Sequence, residues 1–163
     1  TNFILSNPWY IPTASLMFRN KLNNIPSWFS KAKNGDYTLQ LLLTSDGSLV
    51  HYNNKIMSVY RHHAGGVSNI FKKKNVYNYS MIFINQSFNK YTKGKYKDNC
   101  LKNTRKHSIQ ILKHKPVLSY EFWRLSFLLF MLEKKVDKVL FNLLKKRIFK
   151  KRILLRLKLP NKQ

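Results

Sequence analysis

The densest chemistry in this chain lies near its end. From Lys145 to Lys158 the residues run Lys145-Lys146-Arg147-Ile148-Phe149-Lys150-Lys151-Arg152-Ile153-Leu154-Leu155-Arg156-Leu157-Lys158, eight cations in fourteen positions with no acid among them. Cationic and apolar pairs or triplets alternate, so a helix built from this segment is cationic over much of its circumference and apolar along one stripe. Such a helix can bury the stripe while its ammonium and guanidinium groups reach phosphates, and each phosphate neutralised releases a counterion. The competing readings are a solvated charged face and a helix lying on a membrane surface. Further basic groups are Lys72-Lys73-Lys74, the set Lys90, Lys93, Lys95, Lys97, Lys102, Arg105 and Lys106, and Lys113-His114-Lys115. Tyr77, Tyr79, Phe88, Tyr91 and Tyr96 are interleaved with them. Aromatic faces stack on unpaired bases while neighbouring lysines hold phosphates, a combination that structured RNA offers and duplex DNA hides.

Arg61-His62-His63-Ala64-Gly65-Gly66 has the look of a site. A glycine pair lets the backbone approach a phosphate closely, and histidine can contact phosphate or base. It is a poor metal site, because adjacent histidines diverge on a strand and no suitably spaced ligand follows. Cys100, His107 and His114 recur every seven residues, which matches no zinc spacing. Cys100 stands in a lysine-rich stretch that could lower its pKa, yet no Cys/His motif accompanies it. Asp46, in Thr44-Ser45-Asp46-Gly47, is a turn residue before it is an acid. There is no Walker-type loop, no glycine-rich dinucleotide turn and no metalloprotease helix. These features predict no catalytic residue, no metal and no cofactor.

Whatever positions these groups is built from 163 residues, room for one domain or one domain with an extension. Lys and Arg number 31 against 6 Asp and Glu, for a formal net charge of +25. Self-repulsion on that scale calls for a polyanion to screen it. Apolar residues make up 44% of the chain, enough for a core, and a single Cys excludes a disulfide framework. The charge is uneven: residues 1–71 carry +4 and residues 72–163 carry +21. Lys outnumbers Arg 24 to 7, Asn occurs 17 times and Ala 3 times. Ile, Asn, Lys, Phe and Tyr share A/T-rich codons, which points to the compact genome of a mitochondrion or plastid. Thr1 to Tyr10 is uncharged, unlike an arginine-rich transit peptide, which fits synthesis inside the organelle.

The expected elements follow in order. Pro8, Pro12 and Pro26, with Trp9, Tyr10, Phe18, Trp28 and Phe29 among them, predict an irregular segment over 1–36, either an extended arm on another surface or a loop packed on its own domain. Tyr37 to Thr44 alternates Leu39, Leu41 and Leu43 and predicts a strand. Ser48 to Tyr52 predicts a second strand, with a helix over Leu49 to Arg61 as the alternative. Tyr77 to Phe83 and Ser108 to Lys113 predict further strands, and the polar, basic residues 85–108 predict a mobile loop. From Ser119 the pattern turns helical, with Ser119 as N-cap, Glu121 in the first turn, and Leu125, Leu128, Leu129, Leu132, Val136, Val139, Leu140, Leu143 and Leu144 spaced by three and four. One helix over 120–158, or two broken near Leu144–Lys146, fits that spacing. Phe122 to Leu132 is too short to span a membrane and too apolar all round for a one-sided helix, so it predicts packing on two sides.

Together these residues resemble an organelle-encoded ribosomal protein: small, highly basic, with a compact β-containing part, a lysine-rich loop and a basic terminal helix. Leu41 to Ile70 (LLLTSDGSLVHYNNKIMSVYRHHAGGVSNI), followed by Lys72–Lys74 and a strand before a basic loop, is similar to the small-subunit protein S-ten family. That resemblance implies a strand ending near Asp46, a following helix and a basic hairpin entering RNA, with Lys72, Lys73, Lys74, Lys90 and Lys93 as rRNA contacts. The family's Ser-Pro-His tip is absent and the long C-terminal helix has no counterpart there. The expectation is an α+β chain in three parts: an aromatic and proline-rich arm (1–36), a small mixed α/β RNA-binding domain (37–118) with a basic loop at 85–108, and a basic helical extension (119–163). Its expected role is that of a structural constituent of the mitochondrial ribosome in the matrix, with ribosomal RNA and neighbouring ribosomal proteins as partners. No small-molecule substrate and no transmembrane span are expected. The alternatives are an accessory subunit of an inner-membrane complex and, less well supported, an RNA-processing enzyme.

Overall fold

The computed structural model describes residues 1–8, 10–20, 22, 24–51, 53–56, 59, 75–116 and 119–133. Among them every regular element is a helix: α1 (Asn2–Ser6), two short 3-10 segments (Thr13–Ser15 and Ser27–Lys31), α2 (Gly35–Thr44), α3 (Val76–Tyr91), α4 (Lys97–His114) and α5 (Tyr120–Glu133). The chain divides into two compact units, Thr1–His107 and Ser108–Gln163.

The expected α+β class is therefore overturned: the fold is all-α. The stretches predicted as strands at Tyr37 to Thr44, Tyr77 to Phe83 and Ser108 to Lys113 lie in α2, α3 and α4. Of the second expected strand, Ser48 to His51 has no regular structure, and Tyr52 lies outside the described residues. The basic stretch 85–108 is helical apart from the turn at 92–96. The strand that the S-ten likeness implies before Asp46 is helix as well. The physical reason is visible in α3, where Met81, Ile84, Asn85 and Phe88 are buried at spacings of three and four. Aromatic and β-branched residues favour strands only weakly, and burial of a helical stripe overrides that preference.

In the first unit Ile4, Leu5, Tyr37, Leu41, Met81, Ile84, Phe88, Tyr96 and Cys100 form the core, flanked by half-buried Trp28, Ala32, Tyr77 and Phe83. Phe88 and Tyr96 stack with ring centres 5.7 Å apart. The N-terminal stretch is tied to α2 by side chains: Thr1 Oγ1 donates to the Thr44 carbonyl, Gln40 Nε2 to the Ile11 carbonyl at 2.9 Å, and Thr13 Oγ1 to Asp36 Oδ2 at 2.6 Å. Amides then join three helices. Asn103 Nδ2 donates to the Leu5 carbonyl at 2.7 Å and to Asn85 Oδ1 at 3.2 Å, and Asn85 Nδ2 donates to the Met81 carbonyl at 2.8 Å. A buried amide left without partners costs about 1–3 kcal/mol, so these bonds fix the register of α1, α3 and α4.

In the second unit the predicted cap at Ser119 is present: the Phe122 amide donates to Ser119 Oγ at 3.2 Å. Glu121, in the first turn, pairs with Lys115. Phe122, Leu125 and Leu129 are buried, whereas Trp123, Phe127, Phe130 and Met131 are exposed. The expected continuation of this helix to residue 158 falls outside the described residues after Glu133.

Candidate nucleic-acid interface

α3 ends in a tight turn that gathers lysines. The Lys93 amide donates to the Lys90 carbonyl at 3.1 Å and the Gly94 amide to the Asn89 carbonyl at 2.9 Å. These are the two bonds of a Schellman cap, with its left-handed position taken by Lys93 (φ 50°) and followed by Gly94 (φ 82°). Glycine usually fills that left-handed position. Placing a lysine there costs about 1 kcal/mol and sets an amine on the turn's surface. Lys90, Lys93, Lys95 and Lys97 are all exposed, four cations within eight residues. Lys95 is also engaged by the protein: its Nζ lies 3.5 Å from the Ser45 carbonyl and 5.3 Å from the centre of the Tyr96 ring. The Tyr96 hydroxyl donates to the same carbonyl at 3.0 Å, anchoring the turn to the end of α2.

Down α4, Lys102 and Lys106 lie one turn apart and are exposed, while Arg105 is half-buried. Spacing of four residues puts the two amines on one face, about 6 Å apart along the axis. Lys102 gains its place beside Lys106 from the helix, which a loop reading of 85–108 conceals. Asp98 is an exposed acid within this stretch, and Asp46 is another exposed acid on the chain. The other predicted contacts, Lys72, Lys73, Lys74, Arg61, His62, His63, Gly65, Gly66, Lys145, Lys146, Arg147, Lys150, Lys151, Arg152 and Arg156, lie outside the described residues.

No protein-family model, curated protein or solved structure matches the chain. Among the described residues no group of three His, Cys, Asp or Glu is placed to hold a metal ion, and no helix is long and apolar enough to cross a membrane. Cys100 departs from its sequence expectation. It is buried, and burial pushes its thiol up to about 11, so it is held neutral rather than activated by nearby lysines. The seven-residue recurrence of Cys100 and His107 is the repeat of a helix face, not a ligand spacing. His107 is buried, its Nδ1 is 2.8 Å from Asn78 Oδ1, and burial, aided by the charge of Lys106, lowers its pKa to about 4. Neutral His107 thus donates to the Asn78 amide oxygen.

The expected stacking platforms thin out on the fold. Phe88 and Tyr96 are buried against each other, Tyr77 sets its ring edge-on to His107 at 5.4 Å, and Tyr79 is half-buried. Tyr91 keeps an exposed ring.

Proposed function

We propose that this protein is a structural constituent of a mitochondrial ribosome, holding rRNA by charge neutralisation. The observation that carries this reading is the excess of 31 Lys and Arg over 6 Asp and Glu in 163 residues. A polymer so cationic gains most against a dense polyanion, through release of the counterions condensed on it. The exposed amines of Lys90, Lys93, Lys97, Lys102 and Lys106 support it, standing on helices and a capped turn rather than a floppy loop. The codon-driven abundance of Lys, Asn, Ile, Phe and Tyr supports an organellar origin.

Organelle lysate in mild detergent is sedimented at rising salt. The protein is expected to travel with rRNA and to leave it steeply as salt increases. Replacing Lys90, Lys93, Lys97, Lys102 and Lys106 by Gln is expected to reduce the slope of log affinity against log salt by about 3 to 4 for single-stranded RNA, about 0.7 for each phosphate no longer neutralised. Co-sedimentation with a respiratory complex instead, insensitive to ribonuclease, favours the second reading, an accessory subunit lying on an inner-membrane surface. The exposed Trp123, Phe127 and Phe130 of α5 are the observation that supports that alternative.

A further inference from the structure

Tyr77, Tyr79, Phe88, Tyr91 and Tyr96 are interleaved with the lysines of the basic stretch, and the fold withdraws four of the five into the protein to differing depths. Tyr91 is the one that stays exposed, at 44%. It is the last residue of α3, immediately before the Schellman cap, so its backbone is fixed. Its ring makes an edge-type contact with that of half-buried Trp28, centres 6.4 Å apart at an interplanar angle of 64°. A ring already held in place loses little freedom when something stacks on it. Tyr91 also lines an open depression with Ser45, Asp46, Thr92, Lys93 and Lys95. Asp46 on that rim disfavours a phosphate beside it and Lys95 is drawn towards the Ser45 carbonyl, which leaves the exposed amines of Lys93 and of Lys90, three residues before it, to meet one.

We infer that the α3–α4 turn takes one unpaired nucleotide of a single-stranded RNA segment, its base stacked on Tyr91 and the adjoining phosphates held by Lys90 and Lys93. This rests on the RNA-binding reading above and adds to it the place where unpaired RNA is gripped. A duplex offers no free base face, so it engages the lysines and not the ring. The turn consequently discriminates loops and bulges from helices, without reading which base is present, because every base has a π-face.

The test uses the full chain and two fluorescent RNAs with equal numbers of phosphates, an unstructured strand and a blunt duplex, at low salt. Tyr91→Ala is expected to weaken strand binding about 5- to 150-fold, the loss of one stacked base. Duplex affinity is expected to stay within about twofold, since duplex contacts go to phosphates. Tyr91→Phe keeps strand affinity, and Tyr91→Leu, which fills similar space without a π-face, loses it as Ala does. Lys93→Gln weakens both probes and lowers the strand's salt slope by about 0.7. Equal losses on both probes in Tyr91→Ala and Tyr91→Leu, or unchanged strand binding in either, overturn the stacking site while leaving the RNA-binding reading intact. Wild-type protein indifferent to both probes sinks the RNA reading and this site with it.

Discussion

The α3–α4 pair and helix α5 are built on opposite plans. α3 and α4 turn Met81, Ile84, Asn85, Phe88, Cys100, Thr104 and His107 inward and Lys90, Lys97, Lys102 and Lys106 outward. Their interior is rich in amides and hydroxyls, and their surface is cationic. α5 buries Phe122, Leu125 and Leu129 and exposes Trp123, Phe127, Phe130 and Met131, so it is apolar on both faces. A cationic rim suits a polyanion, whereas an aromatic face suits another apolar surface. The contrast also separates two kinds of stability. The α3–α4 interior depends on hydrogen bonds being completed, and the exposed aromatics of α5 contribute little to folding.

The sharpest way to break that contrast is a pair of truncations. Phe88→Ala in the stacked core is expected to cost about 3–5 kcal/mol in urea denaturation, against about 0.5 kcal/mol or less for Phe127→Ala on the outer face of α5. Comparable losses for the two would mean that both rings are buried in solution. Asn103→Ala comes next, at about 1–3 kcal/mol, because it strips a donor from the Leu5 carbonyl and from buried Asn85. An unchanged denaturation midpoint would show that the amide network contributes nothing to stability. Gly94→Ala is expected to cost about 1–2 kcal/mol from its φ of 82° alone, since no atom lies within 4 Å of the added Cβ. Lys93→Gly should move stability the other way by up to about 1 kcal/mol, while weakening RNA binding. Opposite signs at these adjacent positions would show that the cap is held for its amine, at some cost to the fold.

The last prediction concerns pH and has no effect at neutrality. His107 titrates near 4 in the folded chain and near its ordinary 6.5 when unfolded. Above pH 6.5 both states are neutral and stability is complete. As pH falls from 6.5 towards 4, the unfolded chain takes up a proton that the folded chain refuses, so stability declines over that window. Chemical denaturation at a series of pH values is expected to show this slope in the wild type and a flatter one in His107→Gln.

Legibility from sequence follows the same division. The start of α5 is readable because its signals are local and apolar: a serine cap, an acid in the first turn and leucines at helical spacing. α2, α3 and α4 are not, for two reasons. Codon bias fills α3 with Tyr, Ile and Phe whatever its structure, which imitates strand propensity, and in α2 Leu39, Leu41 and Leu43 alternate as they would in a strand. Their buried stripes also run through polar residues, Asn85 in α3 and Thr104, His107 and Ser108 in α4, so hydrophobic periodicity misses them. The seven-residue repeat of Cys100 and His107 does signal α4 once it is weighed as a helix face. Of the interface, the identities of Lys90, Lys93, Lys95, Lys97 and Lys106 are legible from composition. The pairing of Lys102 with Lys106 and the selection of Tyr91 need the helices.

Cys100 carries a practical consequence. It is the chain's sole sulfhydryl and is 1% exposed. A maleimide added in excess can modify it only when the first unit opens, so labelling rate becomes a built-in clock for that opening. Comparing the clock with and without RNA would report how far the polyanion holds the helices shut.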